Sequence, residues 1–201
     1  MLDHPPTEGL RPGLADPVFD SQRVFRAVLD ALAHPGTIVD LSLPLSPPPP
    51  LDLATAAVVL ALADYETPLW LDQASATDAV RAYLSFHCGC PLTSSGENAA
   101  FAVVTDPAAM PALAAFQAGS DEYPDRSTTL VVQLPALRGG DPWELSGPGI
   151  RTRQSFAPAG LPPAFAEWLR ANHSLFPRGV DLIFTSGSSL AALPRSSRLE
   201  G

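Results

Sequence analysis

The chain contains no lysine: all 12 of its basic residues are arginine, they stand against 21 acidic residues, and the net charge is -9. Without a lysine amine the chain can form no internal Schiff base with a carbonyl cofactor, and it has no phosphate-loop lysine. Any bound anion must therefore be held by arginine or by backbone N–H groups. The negative balance also argues against nucleic acid as a partner, because phosphate-tracking surfaces need clustered cations.

Cysteine and long hydrophobic runs are also scarce. The two cysteines, Cys88 and Cys90, lie too close together to form a disulfide framework. The longest apolar stretch, residues 54–63, is about half of the ~20 residues that a membrane span needs. Residues 1–11 have no apolar run typical of a signal peptide. We therefore predict a soluble, cytoplasmic protein with no membrane partner.

Charged residues make up only 16% of the chain, whereas ordinary domains carry about 25%. Two explanations stay open at this point. The surface is rich in proline, serine and threonine, or part of it is covered by partner proteins.

Helical and strand patterns alternate along the chain and predict an α/β fold with a layered mixed sheet flanked by helices. Residues 1–15 are polar and interrupted by proline and glycine, which predicts a flexible N-terminal arm before a single domain over residues 16–201. Asp20 is predicted to cap the first helix, which should end at His34-Pro35-Gly36.

Further elements are predicted from periodicity and from proline or glycine boundaries. A strand is expected over residues 37–43, and a helix from Asp106-Pro107 to Gly119. Residues 138–149 are expected to form a loop because glycine and proline are frequent there. The segment Ser186-Gly187-Ser188-Ser189 is expected to be a loop after a strand.

The segment Phe86-His87-Cys88-Gly89-Cys90 contains residue types that bind zinc. A structural zinc site needs four ligands, however, and no second cysteine or histidine pair has a suitable spacing. We therefore predict no metal site and interpret His87 as a residue at the end of a helix. A redox role is disfavoured because the spacing is C-x-C rather than C-x-x-C.

Asp64 and Glu66 are the candidate catalytic residues. They follow a strongly apolar helix, where partial desolvation could raise a carboxyl pKa and provide an acid or a base. The alternative, which we favour, is that these carboxylates cap backbone donors or pair with arginine.

Arg195 is the best candidate for binding an anion. It follows proline and precedes two serines, so its guanidinium could hold a phosphate in a bidentate manner with Ser196 beside it. Gly147 and Gly149 could form an anion-binding loop, although Pro148 lacks the N–H that such a loop uses. The alternatives are an ion pair for Arg195 and a rigid turn for the glycines.

A series of segments resembles the PhnH family, the H subunit of the bacterial carbon-phosphorus lyase system. The resemblance covers residues 16–198 and rests on Phe25-Arg26 through His34-Pro35-Gly36, Asp64-Tyr65-Glu66-Thr67-Pro68-Leu69-Trp70, Phe86-His87, Thr128-Thr129-Leu130, Leu145-Ser146-Gly147-Pro148-Gly149-Ile150, Phe176-Pro177-Arg178-Gly179-Val180-Asp181-Leu182 and Leu193-Pro194-Arg195. Two positions depart from the usual family pattern: Ser196-Ser197 stand where threonines are common, and Cys88 stands where threonine is common.

The resemblance implies a fold similar to the large domain of pyridoxal-phosphate (PLP) transferases, but without PLP or another cofactor. It also implies a complex with the G, I and J subunits. Independently of the resemblance, the few charges and several apolar helices predict a homodimer for the isolated chain. ATP is then the substrate of the whole complex, in which a phosphonate displaces adenine to give ribose 1-methylphosphonate 5-triphosphate. This chain would be an accessory subunit that is not catalytic alone.

Two alternatives to the accessory subunit stay open. One is a free-standing α/β enzyme for a small molecule that uses Asp64, Glu66 and Arg195. The other is a pure scaffold without any ligand site.

Overall fold

The computed structural model describes residues 11–200. Its four helices are α1 (Pro17–Ala33), α2 (Leu53–Leu62), α3 (Asp78–His87) and α4 (Phe165–Ser174). Its strands are β1 (Val39–Asp40), β2 (Leu69–Leu71), β3 (Leu92–Thr93), β4 (Phe101–Val104), β5 (Thr129–Gln133), β6 (Trp143–Ser146), β7 (Gln154–Phe156), β8 (Asp181–Ser186), β9 (Ser189–Leu193) and β10 (Arg198–Glu200).

A seven-stranded sheet forms the centre, in the order β1-β9-β8-β5-β4-β2-β3. The run from β8 to β3 is parallel, whereas β9 lies antiparallel to β8 and β1 antiparallel to β9. A second, antiparallel sheet has the order β10-β6-β7. The predicted mixed sheet flanked by helices is therefore confirmed.

The central strands are buried on both faces, which explains their nearly continuous apolar sequences. Alternate residues of each strand point to opposite faces, so Val131 packs with α1, α2 and α3, whereas Leu130 and Val132 pack on the side of α4 and the second sheet. Each face of the large sheet thus has its own hydrophobic cluster.

The first helix begins earlier than predicted. Asp16, not Asp20, is the N-cap: its carboxylate accepts a hydrogen bond from the Phe19 N–H at 3.1 Å. Asp20 lies inside the helix and accepts from the Asp16 N–H at 2.9 Å. The sequence offered two aspartates four residues apart, and Pro17 at the first helical position favours the earlier one. The predicted end at His34-Pro35-Gly36 is confirmed.

The predicted helix between Asp106 and Gly119 is wrong. Two short 3-10 turns occupy the segment, at Pro107–Ala109 and Leu113–Ala115. Pro111 between them supplies no N–H and its ring obstructs the preceding helical turn, so a continuous helix cannot pass through it.

Several strand predictions also need correction. The strand predicted over residues 37–43 is only β1, because pairing with β9 ends after two residues. The predicted loop 138–149 contains β6, and the loop at residues 186–189 is a tight turn that leads into β9. β1 pairs with the distant β9 and β6 with the distant β10, and local composition does not reveal such pairing.

The predicted N-terminal arm is only partly described, because residues 1–10 lie outside the described residues. Residues 11–13 lie against α3: the Arg11 carbonyl lies 3.0 Å from His87 Nε2, and the Pro12 carbonyl accepts from the Tyr83 hydroxyl at 3.3 Å. The start of the described chain is therefore held by side chains of α3.

Gly149 has a left-handed backbone, with φ of +82°, and lies directly against the end of α1. A β-carbon at this position would lie 2.0 Å from the Ala33 carbonyl oxygen. The Leu145–Ile150 segment and the Pro35-Gly36 turn therefore pack backbone to backbone, which only glycine permits here.

We predict that Gly149→Ala destabilises the fold much more than Gly139→Ala. Gly139 has a similar φ of +87°, but a β-carbon there meets nothing within 4 Å. The control should lose about 1–2 kcal/mol from left-handed strain alone, and Gly149→Ala several kcal/mol because it adds a backbone clash. Equal losses in denaturant unfolding would contradict this packing.

Candidate functional site

Arg195 lies just after β9, where its side chain enters a network within the chain. Its Nε donates to Asp181 Oδ1 at 3.1 Å, and its Nη2 pairs with Asp181 Oδ2. Nη2 also donates to the Ser127 hydroxyl at 2.6 Å, and Nη1 donates to the Pro124 carbonyl. The guanidinium fork thus binds a carboxylate of its own chain.

The backbone around Arg195 strengthens this network. The Arg195 N–H donates to the same Asp181 oxygen at 2.8 Å, so one carboxylate receives three donors from one residue. The side chains are 14% exposed for Arg195 and 21% exposed for Asp181. An ion pair with this geometry and burial holds its partners firmly, because removing one partner leaves a poorly solvated charge.

The geometry favours the ion-pair alternative for Arg195 over anion binding. Most of its N–H donors already point to Asp181, Ser127 and Pro124. The role of Arg195 in binding a phosphonate or a triphosphate stays a prediction, and it would require the guanidinium to leave these partners.

Gly147 and Ser196 are brought together, but through their backbones. A β-carbon on Gly147 would lie 2.9 Å from the Ser196 carbonyl oxygen. The Ile150 N–H donates to the Gly147 carbonyl at 3.1 Å, which closes a turn around Pro148. Together with Gly149 against α1, this arrangement favours a rigid turn over an anion-binding loop.

Asp64 and Glu66 lie in an exposed turn after α2. The Asp64 carboxylate accepts from the Thr67 hydroxyl at 2.6 Å and from the Glu66 N–H at 2.9 Å. These two hydrogen bonds, led by that of Thr67, lower the pKa of Asp64. A general acid at neutral pH needs a raised pKa, so the geometry favours the capping alternative. No hydrogen bond or ion pair joins either carboxylate to Arg195 within residues 11–200.

His87 is the last residue of α3, as predicted. Its ring makes edge contacts with Tyr83 and Phe86, with centroids 4.6 and 5.0 Å away. Burial, followed by the charge of Cys88, raises the pKa of Tyr83 to about 12. Among the described residues there is no group of three or more histidine, cysteine, aspartate or glutamate side chains placed to hold a metal ion.

A cavity that the sequence did not predict lies at the carboxyl ends of β4, β5 and β8. It has a volume of about 620 Å³, and its lining includes Asp52, Asp106, Gln133 and Ser186. Ligands of open α/β sheets bind at this edge. The clue in the sequence was a polar residue after each apolar strand, but the strand order that unites these residues cannot be derived from the sequence.

The crevice between β2 and β4 is where the chain connections change from one face of the sheet to the other. Asp72 fills it. Its carboxylate accepts from the N–H groups of Ser75, Thr105 and Asp106 at 2.8, 2.7 and 2.8 Å. A carboxylate of the chain itself therefore occupies the position that a bound anion often takes at such an edge.

Polar groups on the floor of the cavity also bind one another. Gln133 Oε1 accepts from the Asp52 N–H and from the Thr55 hydroxyl, each at 2.8 Å. The Thr55 and Thr185 hydroxyls lie 2.7 Å apart, and Asp52 Oδ2 accepts from the Gly187 N–H at 2.8 Å. This chain of hydrogen bonds joins α2 to β5 and β8.

The charge of the cavity is unsuitable for a polyphosphate. Two of the described lining residues, Asp52 and Asp106, are acidic and none is arginine. Two carboxylates without a compensating cation repel a triphosphate or a phosphonate. Neither the cavity nor the Arg195 network thus offers a ready site for such an anion.

The fold and these contacts define a mixed α/β protein whose characteristic polar residues bind other parts of the same chain. A family profile described as "Bacterial phosphonate metabolism protein (PhnH)" matches residues 12–200. Because the match spans nearly the whole chain, the protein belongs to the PhnH family.

Two curated relatives agree with this family. The chain is 44% identical over 186 residues to "Alpha-D-ribose 1-methylphosphonate 5-triphosphate synthase subunit PhnH" of Rhizobium meliloti (strain 1021), covering 92% of this chain and 93% of the relative. It is 30% identical over 183 residues to "Putative C-P lyase subunit protein HtxG" of Stutzerimonas stutzeri, covering 89% and 85%.

We predict that Arg195→Ala lowers the free energy of unfolding by about 3 kcal/mol or more, because it leaves the Asp181 carboxylate unpaired in a poorly solvated place. Arg178→Ala is the matched control, since Arg178 pairs with Asp121 at 3.0 Å while their side chains are 43% and 84% exposed. The control should lose less than about 1 kcal/mol. Similar losses in chemical denaturation would show that the buried network does not stabilise the fold.

Proposed function

We propose that the chain is an accessory subunit of the carbon-phosphorus lyase system, which supports formation of ribose 1-methylphosphonate 5-triphosphate from ATP and a phosphonate. The observation that carries this proposal is the 44% identity to a synthase subunit over 92% of the chain. The second relative bears the printed name of a putative C-P lyase subunit. Both names describe a part of an assembly.

The contacts within the chain support an accessory role. Asp64 and Arg195 are the strongest candidates for a catalytic or an anion-binding role. Both bind other residues of the same chain. The cavity at the sheet edge has acidic lining and hydrogen-bonded polar groups. Catalysis would then be supplied by partner subunits, for which we propose the G, I and J subunits, with ATP as the substrate of the whole assembly.

The exposed apolar side chains support a surface for partners. Val18, Phe25 and Leu29 are exposed on α1, and helical geometry places them on one side of it. An apolar stripe of this kind on a helix is typical of an interface. We propose that the isolated chain uses it to form a homodimer.

We propose that the subunit acts in the cytoplasm without PLP or any other cofactor of its own. No helix within residues 11–200 is long and apolar enough to cross a membrane. The lack of lysine leaves no residue that could form an internal aldimine. The likeness to the large domain of PLP transferases stays a prediction.

Co-expression with the proposed partners tests the accessory role. A tagged copy of this chain should retain the G, I and J subunits through gel filtration, and the assembly should release adenine from ATP in the presence of methylphosphonate. The chain alone should release none. Adenine release by the isolated chain would instead support the free-standing enzyme, and failure to retain any partner would contradict the proposal.

Two substitutions on α1 of the whole chain test the homodimer. Phe25→Arg places a cation in the middle of the apolar stripe and should weaken self-association about tenfold or more in sedimentation equilibrium, because burying an unpaired charge is costly. Asp30→Arg introduces the same side chain about 140° around the helix and should leave association unchanged. A wild-type monomer at micromolar concentration would contradict the homodimer itself.

A further inference from the structure

Tyr65 lies in an exposed turn between two carboxylates. Its side chain is 73% exposed, and Asp64 and Glu66 flank it in the sequence. Asp64 Oδ1 accepts both hydrogen bonds that hold the turn, from the Thr67 hydroxyl and from the Glu66 N–H. Within residues 11–200, no hydrogen bond or ion pair occupies the other Asp64 oxygen or the Glu66 carboxylate. These oxygens are therefore available to another molecule.

Apolar side chains extend this surface towards the edge of the large sheet. Tyr65 Cβ lies 4.0 Å from the position that a β-carbon on Gly89 would take. Phe86, in the last turn of α3, comes shortly before Gly89, and Leu92, on the outer strand β3, comes shortly after it. Their side chains are 60% and 37% exposed. We refer to the following residues as the Tyr65 surface: Asp64, Tyr65, Glu66, Phe86 and Leu92.

A second tyrosine of the chain shows which group such a surface binds. Tyr123 also follows an exposed carboxylate, Glu122, and the Arg126 guanidinium lies over its ring, 4.1 Å from the centroid. A cation is attracted to the face of an aromatic ring and to a nearby carboxylate. No arginine within residues 11–200 lies over the ring of Tyr65. The Tyr65 surface therefore presents the same two groups to a cation of another molecule.

The charge of the Tyr65 surface argues against a second copy of this chain as its occupant. A symmetric dimer places the same patch of both copies face to face, so the Asp64 and Glu66 carboxylates would repel their equivalents. The chain also has 12 arginines against 21 acidic residues, so a second copy has few cations with which to bind in any other orientation. Charge complementarity therefore requires a different protein with a basic surface.

We propose that the Tyr65 surface docks a basic surface of another subunit of the assembly. An arginine or lysine of the partner lies over the Tyr65 ring and against the Asp64 and Glu66 carboxylates. Apolar side chains of the partner cover Phe86 and Leu92. The inference rests on the proposed function, because it requires that the chain belongs to an assembly. It gives Asp64 and Glu66 a role in recognition and not in catalysis.

Titration of a purified complex of the G, I and J subunits with this chain measures the docking. Glu66→Arg should raise the Kd about tenfold or more, because it sets a cation against the cation of the partner. Glu122→Arg is the matched control, since it makes the same change of charge beside the other exposed tyrosine. The control should stay within about twofold of the wild type. Melting temperatures check that both variants fold.

The aromatic ring is tested separately from the charge. Tyr65→Ala should weaken docking about tenfold, whereas Tyr65→Phe keeps the aromatic face and should bind as the wild type does. Tyr123→Ala removes a ring that Arg126 of the same chain already covers, and it should leave docking unchanged. Added salt should weaken docking of the wild type more than docking of Glu66→Gln, because the variant has lost one of the screened charges.

Three results would overturn the docking surface. The first is wild-type affinity of both Glu66→Arg and Tyr65→Ala, which would leave the accessory role intact. The second is equal weakening by Glu122→Arg, which would show that only the net charge matters. The third is weaker self-association of Tyr65→Ala in sedimentation equilibrium with unchanged binding of the other subunits, which would identify a second copy as the occupant. No binding by the wild-type chain would contradict the accessory role as well.

Discussion

The ion pair between Arg195 and Asp181 is the contact on which the rest of this structure most depends. It joins the end of β9 to the start of β8, the two antiparallel strands of one hairpin. Through Ser127 and the Pro124 carbonyl it also holds the segment that leads into β5. One guanidinium thus fixes where three neighbouring strands of the central sheet begin or end.

The other segments that resemble the family have a similar structural purpose. Asn172 exchanges two hydrogen bonds with Val180, 2.8 and 2.9 Å long, and so ties α4 to the strand that carries Asp181. The Thr128 hydroxyl donates to the Ala99 carbonyl at 2.6 Å. Gly149 lies against the end of α1. Residues whose type suggests catalysis or ligand binding therefore hold separate layers of the fold together.

The sequence predicted the class of fold because the central strands are apolar and some helix boundaries are marked by local signals. The end of α1 at Pro35-Gly36 is an example, since proline and glycine act locally. The sequence failed where a proline divided a helical pattern, as at Pro111. It also failed for short strands such as β6, which forms through pairing with β7 and with the distant β10. Such pairing depends on contacts between distant residues.

The site could be predicted less well, for a related reason. The sequence pointed to Arg195, but its partner Asp181 lies 14 residues earlier, and the sequence does not show whether the guanidinium meets a carboxylate or an anion. The cavity at the sheet edge was missed because Asp52, Gln133 and Ser186 come from three distant segments. Only the strand order brings them together.

The central claim is that the segments shared with the family organise the fold and that the chain serves its assembly as a subunit. Hydrogen exchange of this chain within the assembled complex, with and without ATP and methylphosphonate, tests it most directly. We expect the substrates to leave exchange unchanged at the amides of Asp181, Arg195 and Ser197, whose N–H groups already donate hydrogen bonds within the chain. Strong protection of these amides by the substrates would contradict it and would place Arg195 at a ligand.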